Sequence, residues 1–278
     1  MKIVLGANTF GEYKRQDIAV ESWRVLSKEF NVDVYDIQFE DECKTFTNPY
    51  NLKPLFNLQR SSRDVLDTDR KLPFVNDIIS CISEIDSDYF IFTNSDIIIN
   101  GNLIKYIREN KPTCFACSRL DIMDISSFDD LRDNIHPVRW EPAGFDTFVF
   151  KREWYMGSNS TSTPNRELFR DYFLGQPEWD AVYAGIMKLY GNNDPIGNIY
   201  PPYCFHIKHD IQWNKPSLER EFNVSGVRSH AHDSLIHSIM DYHLHSNLIK
   251  RKPYGAFLNI PSNEKEIEQK YFDKFLIK

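Results

Sequence analysis

Several short stretches of this chain carry acids, cations and histidines where they can do chemistry. In "DYFIFTNSDIIIN", residues 88–100, an apolar run stops on Asn94-Ser95-Asp96 before three isoleucines. A carboxylate delivered at the end of a buried strand can bind Mg²⁺ or Mn²⁺, which take oxygen ligands and in turn neutralise a diphosphate. The other use of Asp96 is to cap the turn in which it sits. In "WEPAGFDTFVFKREWY", Asp146 interrupts an apolar stretch just after Gly144. It is either a turn residue at a strand edge or a site carboxylate. In "LGQPEWDAVYAG", Glu178 and Asp180 open a helical pattern. They either cap that helix and offset its dipole, or supply a general base for an acceptor hydroxyl. "FHIKHD" holds His206, His209 and Asp210, and histidine suits both metal binding and proton transfer. Arg70 and Lys71, in "DTDRKLPFVND", precede a helix N-terminus. Cations at such a place suit phosphates, unless they form only a solvated basic pair.

The elements that must position these residues alternate between strand and helix. "KIVLGA" is a β-branched run, "QDIAVESWRVLSKEF" has helical spacing, and "NVDVYDI" is a second strand. A β-α-β start predicts a parallel sheet. Residues 41–70 read as loop plus short helix, and "LPFVNDIISCISEI" as a helix with Pro73 in its first turn. Tyr89–Thr93 is predicted to be an interior strand of a mixed, mostly parallel sheet, with Asp96 facing a cleft at its C-terminal edge. "NLIKYIRE" is a helix. "TCFACSRLDI" and "FDTFVFKREWY" read as strands, "WDAVYAGIMKLYG" as a helix that stops at Gly191, and "IYPPYCFHIKHD" as a late strand or loop. Ligands of open α/β sheets sit outside the carboxyl ends of the strands, where Asp96 falls. From about residue 246 the chain turns basic and amphipathic. The expected organisation is one domain, 1–245, with an extension, 246–278.

Composition narrows the partners. With 278 residues, 41% hydrophobic and 26% charged, the chain can bury a large core. A net charge of -7 leaves no broad basic field for nucleic acid, so that partner is not expected. No apolar run has the length of a membrane span or of a signal peptide, which points to the cytoplasm. The basic, aromatic segment after Asn247, with Lys250, Arg251 and Lys252 beside Tyr254 and Phe257, can touch an anionic membrane surface, pack on the domain or mediate a dimer. Cys114 and Cys117 form a CxxC with no second CxxC, and read as structural thiols of a reducing compartment. The tryptophans Trp140, Trp154, Trp179 and Trp213 are either core residues or sugar-stacking platforms.

Taken in order, these stretches resemble a bacterial-type glycosyltransferase of the GT-A fold. The strand ending in "FTNSDI" resembles the DxD segment of that class. "GFDTFVFKREWY", "LGQPEWDAVYAG" and "FHIKHD" resemble the Gly-x-Asp-x-Phe-x-Phe, Gly-x-Pro-x-Trp-Asp and His-x-x-His-Asp motifs of a group of nucleotide-sugar transferases, across about residues 1–215. The resemblance implies an α/β, GT-A-like (Rossmann-like) fold with a mostly parallel central sheet flanked by helices. It also implies transfer of a sugar from a nucleotide-diphosphate donor to a polysaccharide, glycan or glycolipid acceptor, with Mn²⁺ or Mg²⁺ and with inversion. Asp96 then holds the metal or diphosphate, and Asn94 stands where the first acid of DxD would be. His206 or His209 completes the metal site. Arg70 and Lys71 lie near the diphosphate, and Asn8 and Asp36 with the nucleotide. Asp180 is the base, with Asp146 in the sugar pocket. Two rivals remain open: a metal-dependent hydrolase built on the late cluster "HAHDSLIHSIMDYHLH", and a non-catalytic sugar-binding protein of the same fold that lost its chemistry through Asn94.

Overall fold

A computed structural model describes residues 1–10, 14–122, 125, 127–128, 145–157, 165–177, 179–191, 203–207 and 216–230. In chain order they form β1 (Ile3–Ala7), α1 (Lys14–Phe30), β2 (Val32–Phe39), β3 (Lys53–Leu58), α2 (Val75–Ser83), β4 (Tyr89–Thr93) and β5 (Ile97–Ile99). Next come α3 (Gly101–Asn110), β6 (Cys114–Ser118), β7 (Leu120–Ile122), β8 (Phe145–Lys151) and α4 (Arg152–Met156). The last described elements are α5 (Trp179–Gly191), β9 (Cys204–Ile207) and α6 (Leu218–His230).

Six strands make the main sheet in the order β3-β2-β1-β4-β8-β6. The four from β3 to β4 run parallel, and β8 enters antiparallel between β4 and β6. The sheet is therefore mixed and mostly parallel, as expected, with Tyr89–Thr93 in its interior. Its strands alternate in period two, but both faces are buried. Ile3, Leu5, Tyr89, Ile91 and Val149 face a largely aliphatic layer with Trp23 of α1 and Leu103 and Ile107 of α3. Val4, Phe90, Phe92, Phe148 and Phe150 face a layer rich in rings, with Tyr155 of α4 and Trp179 and Tyr183 of α5. Register in the centre is marked by matched pairs. Phe92 lies opposite Phe148, and Thr93 opposite Thr147; the rings stack at 6.2 Å and the hydroxyls meet at 2.9 Å. A second sheet, β5-β9-β7, is small and three-stranded.

Four expectations are corrected. Residues 41–70 contain a strand, β3, which pairs parallel with β2; Pro54 is tolerated there because β3 is the sheet edge. Pro73 precedes α2 rather than lying in its first turn, since Phe74 is the N-cap. "TCFACSRLDI" is not one strand, because the chain leaves the main sheet after β6 and joins the small sheet as β7. "FDTFVFKREWY" likewise divides into β8 and α4. The extension 246–278, with its membrane or dimer roles, and the late histidine cluster from residue 231 lie outside the described residues.

Gly6 lies on β1 against α2, and a Cβ there would overlap the Ile82 side chain. Gly6→Ala is expected to destabilise the fold by roughly 1–3 kcal/mol through overpacking. Urea denaturation checks this; an unchanged midpoint would show that Ile82 repacks without cost.

Candidate active site

The segment that carries Asp96 is fixed from behind. Trp23 is fully buried and donates its indole N–H to Ile97 O at 3.0 Å. Ser22 Oγ accepts the Ile99 N–H at 3.1 Å. Two consecutive residues of α1 thus clamp β5, and the Asn94–Asp96 turn that precedes it is closed by Ile97 N–H donating to Asn94 O. The turn stands at the carboxyl end of β4. Its neighbour β1 pairs with β2 on the other side, so the strand order reverses here, which is where open α/β sheets place ligands.

Around Asp96 the fold assembles a ring of charged groups. His206 lies in β9, in register with Ile97 on one side and Asp121 on the other. Its Nε2 faces Asp96 Oδ2 at 3.4 Å and its Nδ1 lies 3.0 Å from Asp121 Oδ1. Arg119 donates from Nε to Asp121 Oδ1 at 3.1 Å and from an Nη to Asp146 Oδ2 at 2.6 Å. Asp146 Oδ1 in turn accepts the Asn94 amide at 2.5 Å. Burial works against ionising each of these groups, and their partners decide the result. Burial raises the Asp146 pKa and Arg119 pulls it back only in part, so it stays raised. Burial would also raise Asp121, but His206 and Arg119 bring it below the usual carboxylate range. Burial would lower His206, but its bonds to Asp121 and Asp96 leave it raised. Arg119 and Asp121 were missed in the sequence. The only signal was an Arg-x-Asp at the break in what read as one strand.

Asp180 reaches this ring from the opposite layer. Its neighbour Trp179 is 3% exposed and packs on Phe92, Phe148 and Tyr183. This tryptophan is therefore core, not a sugar platform. Trp154 stacks on Phe150, while Trp140 and Trp213 lie outside the described residues. Gly175 takes φ +75, a left-handed turn that favours glycine, and redirects the chain ahead of α5. Asp180 Oδ2 accepts the Phe145 N–H at 3.1 Å, which ties the start of α5 to the start of β8. The charges of Asp180, Asp96, His206 and Arg119 all act on Asp146. The structure thus brings together Asn94, Asp96, Asp146, Asp180 and His206. His209 and Glu178 lie outside the described residues.

The remaining candidates stand further along the same sheet edge. Asn8 donates its amide to Ile37 O at 2.6 Å. Asp36 is fully buried and accepts from the Thr9 N–H, the Thr9 hydroxyl and Gln38; burial raises its pKa against those bonds. Both residues fix the loop after β1. Lys71 lies over the Phe39 ring at the end of β2 and is paired with Asp41 and Glu42. Arg70 pairs with Glu219 of α6 at 3.4 Å. Lys71, over the end of β2, is therefore two strands along the sheet order from β4, which leads to Asp96.

The donor set at Asp96 fits a hard divalent cation. Asp96 Oδ2 and His206 Nε2 are 3.4 Å apart, close to the about 3 Å between neighbouring donors of an octahedral ion. Asn94 Oδ1 is buried and has no hydrogen-bond partner among the described residues. Among the described residues no three His, Cys, Asp or Glu side chains form a closed cage. Mg²⁺-type sites commonly have that form, one or two protein ligands with substrate phosphates and water completing the shell.

Comparison with protein-family models and with curated proteins returns no match. Among solved structures, residues 1–349 of S. aureus TarS in complex with UDP-GlcNAc superpose with a TM-score of 0.54 at 14% identity, covering 99% of this chain and 80% of that one. Glucosyl-3-phosphoglycerate synthase from Mycobacterium tuberculosis, solved with Mg²⁺ and UDP, gives a TM-score of 0.40 at 10% identity over 86% of this chain and 79% of that one. The first likeness extends along nearly the whole chain, and with the strand order it identifies the fold as GT-A-like α/β.

Proposed function

We propose that this protein is a glycosyltransferase that moves a sugar from a nucleotide-diphosphate donor to a hydroxyl of a glycan or glycolipid. The observation that supports the reading is the contact of Asp96 with His206 and the bond of Asp180 to the start of the strand that carries Asp146, at the edge where the strand order reverses. A cation-binding side for the leaving diphosphate and a carboxylate side for the acceptor are what glycosyl transfer requires. The TarS structure of similar fold holds UDP-GlcNAc, so a uridine-diphosphate sugar is the first donor to test.

Asp96 and His206 are the proposed holders of Mn²⁺ or Mg²⁺, which when bound would neutralise charge on the departing diphosphate. Asn8, Asp36, Asn94, Arg70 and Lys71 line the edge along which the nucleotide would lie. Asp36 acts there through Thr9, and Lys71 would exchange its acidic partners for phosphate. Asp180 takes the proton of the acceptor hydroxyl as that oxygen bonds to the anomeric carbon. The bond from the same carbon to the diphosphate oxygen breaks, and the nucleoside diphosphate leaves. Attack opposite the leaving group inverts the anomeric centre. Asp146, with one oxygen on Asn94 and the other on Arg119, holds the pocket. Among the described residues no helix is long and apolar enough to cross a membrane; the basic segment 246–278 is the proposed peripheral contact with a lipid-linked acceptor.

Calorimetry with UDP and UDP-sugars, with and without Mn²⁺, tests the donor. Asp96→Ala is expected to weaken UDP binding in Mn²⁺ at least about tenfold, the scale of one charge-assisted contact. Equal affinity of both proteins, with and without metal, would refute the donor site. Donor binding with neither transfer nor hydrolysis would instead favour the sugar-binding protein.

A further inference from the structure

We propose that Asp121 is the positioning residue of the metal side: it holds the Nδ1 proton of His206 and so presents Nε2 as a ligand to a divalent cation beside Asp96. This rests on the metal site proposed above. A neutral imidazole carries one N–H, and the group facing each nitrogen decides which one has it. Asp121 Oδ1 is 3.0 Å from Nδ1, a good hydrogen bond, whereas Asp96 Oδ2 is 3.4 Å from Nε2, a longer and weaker contact. Asp121 also accepts from Arg119 Nε, which favours its ionised form, and an ionised carboxylate only accepts. Nδ1 is therefore the donor to Asp121, and in the neutral imidazole that a cation requires, Nε2 on the Asp96 side is the nitrogen left to bind it. Carboxylates that orient a metal-binding histidine in this way are a recurrent feature of metal sites.

The backbone makes this arrangement durable. In the small sheet, β9 lies between β5 and β7 with His206 in register with both Ile97 and Asp121. Ile97 directly follows Asp96. The three-stranded sheet thus fixes His206 and Asp121 in one row with Asp96 one residue before it, and Asp121, only 7% exposed, is shielded from competing water.

The test uses Mn²⁺ alone on the full chain, followed by electron paramagnetic resonance of free Mn²⁺, with no donor or acceptor present. Asp121→Asn is expected to weaken Mn²⁺ binding about 10–100-fold, with Asp121→Glu recovering part of the loss. His206→Ala should lose at least as much, and the double variant no more than His206→Ala alone, because Asp121 acts through the histidine. Wild-type Asp121→Asn parity, additive losses in the double variant, or a wild-type chain that does not bind Mn²⁺ would each overturn the proposal. Should Asp121→Asn fail to fold, imidazole NMR of wild-type protein with Mg²⁺ decides the matter. A proton on Nδ1 of His206 supports the proposal and one on Nε2 overturns it. A chain that passes these tests yet transfers no sugar from any donor would refute the glycosyltransferase reading while leaving the metal site standing.

Discussion

Asp180→Asn is expected to keep donor affinity and lose turnover by at least about 10²-fold, the usual cost of removing a positioned base. The substitution is informative because it is structurally mild. Asparagine retains an oxygen that can accept the Phe145 N–H now bonded at 3.1 Å, and Trp179 still anchors the helix in the ring layer. Basicity alone is lost. Donor affinity measured by calorimetry should stay within about twofold of wild type, so that kcat falls and donor KM does not rise. Asp146→Asn is the natural comparison. Its two oxygens are engaged by Asn94 and Arg119, so this variant should show its defect in stability and donor affinity. If Asp180→Asn turns over normally while a folded, donor-loaded Asp146→Asn is dead, the base has been assigned to the wrong carboxylate; Glu178→Gln answers the same question for the third acid.

Arg119→Met is expected to destabilise the protein by about 3 kcal/mol or more. The replacement keeps most of the volume but strands Asp121 and Asp146, whose side chains are each 9% exposed. Differential scanning calorimetry should show a midpoint lowered by about 6–12 °C. The deficit should also depend on pH. Burial already raises the folded pKa of Asp146, and losing the cation that pulls it down raises it further. A carboxyl whose folded pKa exceeds its unfolded value binds more protons when folded, so stability falls as pH rises between the two. The variant should therefore be closest to wild type near about pH 4 and weakest toward neutrality. Arg119→Lys should fall between, since an ammonium keeps the charge but lacks the planar fork and the reach with which Arg119 meets its two carboxylates, and Arg119→Met with Asp146→Asn should recover part of the loss. A loss under about 1 kcal/mol would mean that the ring does not support the site.

How much of this was legible in the sequence depended on the range of the interactions involved. Tyr89–Thr93 and the first β-α-β unit follow from runs of apolar residues that satisfy their own periodicity. Asp96, Asp146, Asp180 and His206 were legible as chemistry-bearing residues, since each interrupts or ends such a run. β3 was not legible: of its six residues only Leu58 is buried, and its conformation is set by pairing with β2. Arg119 and Asp121 were hidden for a different reason. They sit where the chain passes from one sheet to the other, and a crossing between sheets leaves no periodic trace over a few residues. Arg70 and Lys71 were legible as cations, but their acidic partners on Asp41, Glu42 and Glu219 come from segments far away in the chain.

The antiparallel entry of β8 has a consequence for how this site can vary. Sliding β8 by two residues along β4 would return every side chain to its own face, so burial by itself does not oppose the move. The same slip would carry Asp146 about 7 Å away from Asn94 and take Phe145 from Asp180. Among the matched contacts such a slip would break are the stack of Phe92 on Phe148 and the hydroxyl pair of Thr93 and Thr147. Four side chains without chemistry of their own thereby act as the index marks of the pocket. A lineage changing one member of a pair would be expected to change the other too, or to lose the alignment of the acids while keeping a stable sheet.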